Sequence, residues 1–171
     1  MNVADAWAKT ATRMKQIPEG SPLSGEEWTS GPYAVMSACN GLILTLRHIE
    51  GKAFLKHLPK RELTTGQLAV KVMPHSIWDH LLLSGVNAEV WMKKGVSAAN
   101  LPEHTAIAYD IPPAARRGKV ALVLGAGNIA SIAPLDVFQK LFLENQVVIL
   151  KMHPVNDYLI EFLEDALSPL I

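Results

Sequence analysis

The sequence of 171 residues has little cysteine and no net charge, and each shortage excludes a class of function. Cys39 is the single cysteine, which excludes an internal disulfide and a thiolate metal cluster. Sixteen basic residues balance sixteen acidic ones, so no overall positive field draws the chain to nucleic acid or to anionic lipid. We therefore predict a cytoplasmic protein with no nucleic-acid or membrane partner.

Long apolar runs are also missing. The charge-free stretch 120–135 is shorter than the roughly 20 residues that span a bilayer, and glycines and Pro134 interrupt it. Residues 1–12 lack a basic segment followed by a sustained apolar run, so we predict no secretory signal. Hydrophobic residues make up 49% of the chain and charged ones 19%, a balance typical of a packed globular protein.

Two helices are predicted in the first third of the chain. Residues 4–16 and 33–49 repeat apolar side chains at helical spacing, although Asn40-Gly41 leaves open one bent helix or two short ones. Residues 21–32 hold three serines, two prolines and two glycines, a composition typical of a surface connection.

Short strands follow in the middle of the chain. Valine-rich segments predict strands at residues 67–73 and 88–92. Ser76 and Asp79 have the spacing of a capping box that opens a short helix. We predict that residues 1–110 form a mainly helical amino-terminal region.

Strand and helix alternate in the last third. Apolar patterning predicts a strand at 119–124, a helix at 132–144 and a strand at 146–150, with Asn156 as the cap of a further helix. The connection between the strands is far too long for a hairpin, which favours a parallel pair with a right-handed crossover. The predicted class is α/β, with a partial Rossmann-like parallel sheet over 111–171.

A glycine-rich motif follows the first of these strands. The sequence Gly125-Ala126-Gly127-Asn128-Ile129-Ala130 has the form of a dinucleotide fingerprint with alanine in its last position. A simple connecting turn is the alternative. The fingerprint expects an acidic residue after the second strand, where this chain has Lys151. Lysine can donate to ribose oxygens or pair with a 2′-phosphate, or it can merely extend its charge into solvent.

The segment 119–167 resembles the aldehyde dehydrogenases, in which a strand leads to an asparagine, a helix follows, and a second strand ends in lysine. The resemblance implies that Asn128 helps to form an oxyanion hole and that Lys151 contacts the adenosine ribose. The glycine-rich motif and the resemblance together predict cofactor contacts at Gly125, Ala126, Gly127 and Lys151. The glutamate common after the lysine is absent, so either NAD or NADP is expected.

The resemblance also implies an oxidoreductase that acts on an aldehyde or acyl substrate, with a homo-oligomer possible. The family's nucleophilic cysteine and general-base glutamate belong to later segments, so the chain corresponds to the amino-terminal part and is predicted to be inactive alone. Two alternatives stay open. One is an NADP-binding Rossmann protein of another reductase family, and the other is a non-catalytic interaction module on a dehydrogenase scaffold.

Other clusters of polar residues carry weaker indications. His75 and His80 are five residues apart and do not share a helical face, so no metal site is predicted. The basic residues around Arg117 are interpreted as a solvated loop, and a phosphate clamp is the alternative. Cys39 lies among apolar residues and is interpreted as a small buried hydrophobe.

Overall fold

The computed structural model describes residues 3–74 and 76–171, with 51% helix and 14% strand. The chain is therefore mixed in secondary structure. Its α-helices are α1 (Val3–Met14), α2 (Leu23–Trp28), α3 (Ala34–Arg47), α4 (Ile77–Leu82), α5 (Ile132–Phe138) and α6 (Ile160–Leu167). Its strands are β1 (Lys60–Glu62), β2 (Leu68–Met73), β3 (Ala88–Trp91), β4 (Val120–Leu124) and β5 (Val147–Lys151).

Shorter helical turns join these elements. Two π-helical turns follow α2 and α5, at Thr29–Tyr33 and Gln139–Leu143. The 3-10 turns are Glu50–Leu55, Leu101–His104, Ile107–Tyr109, Pro113–Ala115, Asp157–Leu159 and Ser168–Leu170. No helix in the described part of the chain is both long and apolar enough to cross a membrane.

The chain divides into two compact units. Unit 1 contains Met1–Ile43 and Ala114–Ile171, and unit 2 contains Leu44–Pro113. The division predicted at residue 110 follows chain order, whereas the contacts group the first helices with the last third. The nucleotide-binding role assigned to 111–171 stays a prediction.

Helices and the β4–β5 sheet together bury the core of unit 1. The predicted helix at 4–16 is α1, which buries Trp7 and Ala11 on one face. The buried core residues of this unit are Trp7, Ala11, Val35, Ala130, Ala133, Phe138, Met152, Leu159 and Leu163. Cys39 packs against this core, and burial raises the pKa of its thiol.

The surface connection predicted at 21–32 is wrong, because α2 and a π-helical turn occupy most of it. Glu27 in α2 is buried and accepts a hydrogen bond from Lys15 Nζ at 2.8 Å. This segment is helical because it packs on α1, and its serine- and glycine-rich composition does not reveal that tertiary contact.

β4 and β5 pair in parallel, as the long crossover predicted. Their register runs from Val120 opposite Val147 to Leu124 opposite Lys151. The helix α5 lies in the crossover and contacts both strands. This sheet has two strands among the described residues, so a complete doubly wound sheet is not shown.

Unit 2 contains an antiparallel sheet in the order β1-β2-β3. β2 and β3 lie where strands were predicted, whereas the polar strand β1 gave no apolar signal. The capping box is confirmed, since Asp79 N–H donates to Ser76 Oγ at 3.1 Å and Ser76 N–H donates to Asp79 Oδ2 at 3.1 Å. The core of this unit is formed by Leu55, Leu68, Val70, Val96 and Leu101.

Candidate functional site

The parallel register places the two predicted cofactor elements at one edge of the β4–β5 sheet. Leu124 ends β4 opposite Lys151, which ends β5. The Gly125 N–H donates to the Lys151 carbonyl at 2.8 Å, so the ladder continues one residue beyond β4. The loop 125–128 therefore begins beside Lys151, at the carboxyl edge where open α/β sheets bind ligands.

Close packing explains both glycines of this loop. A Cβ atom on Gly125 would lie 3.2 Å from the His153 backbone nitrogen and 3.3 Å from the Lys151 carbonyl oxygen. A Cβ on Gly127 would lie 2.8 Å from His153 Nδ1. Gly125 is needed because backbone atoms after β5 approach it closely, which is a structural requirement independent of any ligand. At Gly127 the close atoms belong to the His153 side chain.

His153 covers Gly127 with its imidazole ring. Its Nδ1 accepts a hydrogen bond from the Val155 N–H at 3.2 Å, so a neutral ring carries its proton on Nε2. No role was predicted for His153 from the sequence. Its contact with Gly127 depends on how the segment after β5 folds back over the loop.

Asn156 binds the glycine-rich loop through its side-chain amide. Its sequence position predicted a different role, that of a helix cap. Its side chain is 1% exposed, and Nδ2 donates to the Ala126 carbonyl at 2.9 Å and to the Gly127 carbonyl at 3.3 Å. Asn156 lies at the N-cap position of the turn that follows, but the predicted capping contact is wrong, because its side chain makes no capping hydrogen bond to that turn. The amide is instead committed to the glycine-rich loop.

The backbone donors of this loop are open. Across residues 3–74 and 76–171, no hydrogen bond occupies the N–H groups of Ala126, Gly127 and Asn128. The Asn128 side chain is exposed. Successive backbone N–H groups that face the same way form a concavity suited to anions.

Lys151 supplies a cation at the same edge. Its side chain is exposed, and Nζ donates to the Met152 carbonyl at 3.3 Å. Within the described parts of the chain, no carboxylate lies within ion-pair distance of Lys151. The ammonium is therefore free to pair with an anionic oxygen.

A second concavity lies away from this loop. An apolar cavity of about 520 Å³ lies between α5, β5 and α6, and its lining includes Phe138, Leu150, Leu163 and Glu164. The lining contains neither the loop 125–128 nor Lys151. The predicted site is thus the exposed edge of the sheet, and the cavity is separate from it.

The histidine pair and the basic cluster singled out in the sequence form no further candidate site among the described residues. His75 lies outside the described residues, and the described ones contain no group of three or more histidine, cysteine or acidic residues able to hold a metal ion. Arg117 and Lys119 are exposed in the segment before β4, so they lie at the opposite edge of the sheet from Gly127. They cannot join Lys151 in one phosphate site.

Comparisons with protein-family models, curated protein sequences and solved structures give no significant match.

Proposed function

We propose that this chain is the amino-terminal cofactor-binding portion of an NAD(P)-dependent oxidoreductase of the aldehyde dehydrogenase type. One observation carries the proposal. Leu124 and Lys151 end paired parallel strands, so the loop 125–128 lies at the same sheet edge as an ammonium that has no carboxylate partner among the described residues. The loop N–H groups and Lys151 Nζ are the donors that a nucleotide's phosphate and ribose oxygens require.

The proposal gives each residue of the motif a role. Backbone of Gly125, Ala126 and Gly127 approaches the cofactor, and Lys151 binds the ribose or a 2′-phosphate. Exposed Asn128 donates from its side-chain amide to the oxygen on which negative charge develops during acyl transfer. The nucleophile and the general base come from segments that this chain does not contain, so the chain binds the cofactor without turning over a substrate.

Titration of the full chain with NAD⁺ and NADP⁺, followed by calorimetry, tests this function. Lys151→Ala should weaken binding about 10- to 150-fold, because a charge-assisted hydrogen bond is worth about 1.5–3 kcal/mol. If Lys151 pairs with a 2′-phosphate, the loss is larger for NADP⁺ than for NAD⁺.

Lys119→Ala is the matched control, since Lys119 is an exposed lysine at the opposite end of the same sheet. It should leave both affinities unchanged. Absence of binding by the wild-type chain, or an equal loss in the two lysine variants, contradicts the proposal.

The exposed face of the β4–β5 sheet favours one second candidate, the interaction module. Leu122 and Ile149 are paired on this face and are 64% and 59% exposed. Contiguous exposed apolar residues are typical of protein interfaces. Under this candidate neither cofactor binds, and the double variant Leu122→Ser, Ile149→Ser abolishes association with the partner while leaving the fold intact.

A further inference from the structure

The amide of Asn156 contacts two successive peptide groups of the glycine-rich loop. Nδ2 is 2.9 Å from the Ala126 carbonyl oxygen and 3.3 Å from that of Gly127. Both bonds join residues that are 29 or 30 positions apart in the chain. The bonds therefore connect the loop after β4 to the turn after β5.

These two bonds determine where the next two N–H groups point. In a trans peptide, the carbonyl of one residue and the N–H of the following residue point in opposite directions. The Ala126 carbonyl shares its peptide plane with the Gly127 N–H, and the Gly127 carbonyl shares its plane with the Asn128 N–H. With both carbonyls drawn inward to Asn156, both N–H groups face away from it.

The Oδ1 atom of the Asn156 amide also indicates a role beyond packing. Asn156 is 1% exposed, and its Oδ1 is buried without a hydrogen-bond partner among the described residues. A buried unsatisfied oxygen is unfavourable, and an apolar side chain of the same shape would avoid it. The donor function of Nδ2 accounts for the presence of an amide at this position.

We propose that Asn156 is a positioning residue that directs the N–H groups of Gly127 and Asn128 toward an anionic oxygen of a bound nucleotide. The inference rests on the proposed function, because that function places the nucleotide at this edge. Asn156 itself contacts no ligand. It acts by holding two peptide planes, so that the anion meets oriented donors beside the Lys151 ammonium.

Asn156→Leu is the decisive variant, since leucine keeps the branched shape, removes the Nδ2 donor and also removes the unsatisfied Oδ1. Two readouts apply to the full chain: affinity for NADP⁺, NAD⁺ and pyrophosphate, and NMR order parameters of the loop amides. In the wild type we expect order parameters of about 0.85 at Gly127 and Asn128, falling below about 0.6 in the variant. We expect at least a tenfold loss of affinity for each probe that the wild type binds.

Leu163→Ala is the matched control, because Leu163 is buried in the core of the same unit and forms no hydrogen bond with the loop 125–128. It should lower the melting temperature while leaving the order parameters and the affinities unchanged. Unaltered order parameters at Gly127 and Asn128 in Asn156→Leu would overturn the positioning role, as would loop disorder of the same size in Leu163→Ala.

The two readouts separate this inference from the proposed function. A wild-type chain that binds none of the three probes overturns the proposed function and the nucleotide part of the inference. The order parameters then decide independently whether Asn156 positions the loop: a fall in Asn156→Leu supports that role, and unchanged values overturn it.

Discussion

The two sheets of this chain differ in how they satisfy their polar groups. In the antiparallel sheet of unit 2, one ion pair spans the sheet: Arg61 in β1 and Glu89 in β3 form a bidentate pair at 2.9 and 2.7 Å. In the parallel sheet of unit 1, Lys151 and the N–H groups that follow Gly125 lie at one edge, and the residues that the structure describes provide no such partners for them. The antiparallel sheet thus pairs these two charges internally, whereas the donors at the end of the parallel sheet remain available to a ligand.

The apolar faces of the two sheets differ as well. One face of β2 is buried in the core of unit 2 through Leu68 and Val70. The β4–β5 sheet buries one face and exposes the other, on which five large apolar side chains are 59–67% exposed: Val120, Leu122, Leu124, Val147 and Ile149. Parallel sheets in known folds are covered on both faces. The parallel sheet of unit 1 thus leaves one apolar face exposed at the sheet where its candidate site lies.

The largest expected effects come from the two cores. Leu159 and Leu101 are 0% and 2% exposed, so Leu159→Ala and Leu101→Ala should each reduce the free energy of unfolding by about 2–5 kcal/mol. Native-state hydrogen exchange shows where stability is lost. We expect Leu159→Ala to accelerate exchange in β4 and β5, and Leu101→Ala to accelerate it in β1–β3.

Leu143→Ala serves as the control for both, since Leu143 is 58% exposed and its truncation should cost little. Equal acceleration of exchange in both sheets by each core variant would mean that the two units unfold together and that the two sheets are not stabilised separately.

Glycine substitutions should have intermediate effects with different causes in the two sheets. Gly125 is crowded by backbone atoms, so Gly125→Ala should cost about 1–3 kcal/mol through overpacking. Gly66, in the turn between β1 and β2, has open space but a φ of +76°, so Gly66→Ala should cost about 1 kcal/mol through backbone strain.

Substitution by asparagine distinguishes steric crowding from backbone strain, because asparagine tolerates a positive φ but is larger than alanine. In chemical denaturation, Gly66→Asn should be more stable than Gly66→Ala, and Gly125→Asn should be less stable than Gly125→Ala. The opposite order at Gly125 would show that steric crowding does not determine its identity.

The smallest expected effect is the pH dependence of the antiparallel sheet. Hydrogen bonds from Arg61 and then Trp91 lower the pKa of the Glu89 carboxyl to about 2. Because the folded pKa lies below the unfolded value of roughly 4.3, this stabilisation is complete above that value and is lost as pH falls toward 2. Glu89→Gln should reduce the dependence of the urea midpoint on pH over that interval.

Glu62→Gln, also in the antiparallel sheet, is the control and should leave the wild-type dependence in place. The ion pair is exposed, so about 1 M salt should reduce the difference between wild type and Glu89→Gln. A Glu89→Gln profile identical to that of the wild type at low salt would show that the pair contributes nothing measurable.

Local patterns predicted most of the regular elements. The spacing of Trp7 and Ala11 predicted α1, the alternation in residues 67–73 predicted β2, and the length of the crossover predicted the parallel pairing of β4 with β5. Two segments did not follow their composition. β1 is polar because it lies at the edge of its sheet. The helix α2 forms in a serine- and glycine-rich segment because it packs on α1 and its Glu27 pairs with Lys15, which directly follows α1.

The candidate site was predictable in its position along the chain and not in its packing. The motif at 125–128 and Lys151 were identified from strand and loop signals, and their common edge followed from parallel topology. His153 and Asn156 carried no signal for their contacts with the loop. A contact over about 30 residues depends on how the segment after β5 turns back across the sheet, which no local spacing encodes.

The amino-acid sequence by itself determined the four apolar strands β2–β5, the longer helices and the capping box, because side-chain periodicity and capping are properties of neighbouring residues. Only the tertiary structure decided that Asn156 holds the loop instead of capping a helix, and that His153 covers Gly127. It also joined residues 1–43 with 114–171 in one unit. The physical reason is that these contacts depend on packing between distant segments, and many pairings satisfy the same local preferences.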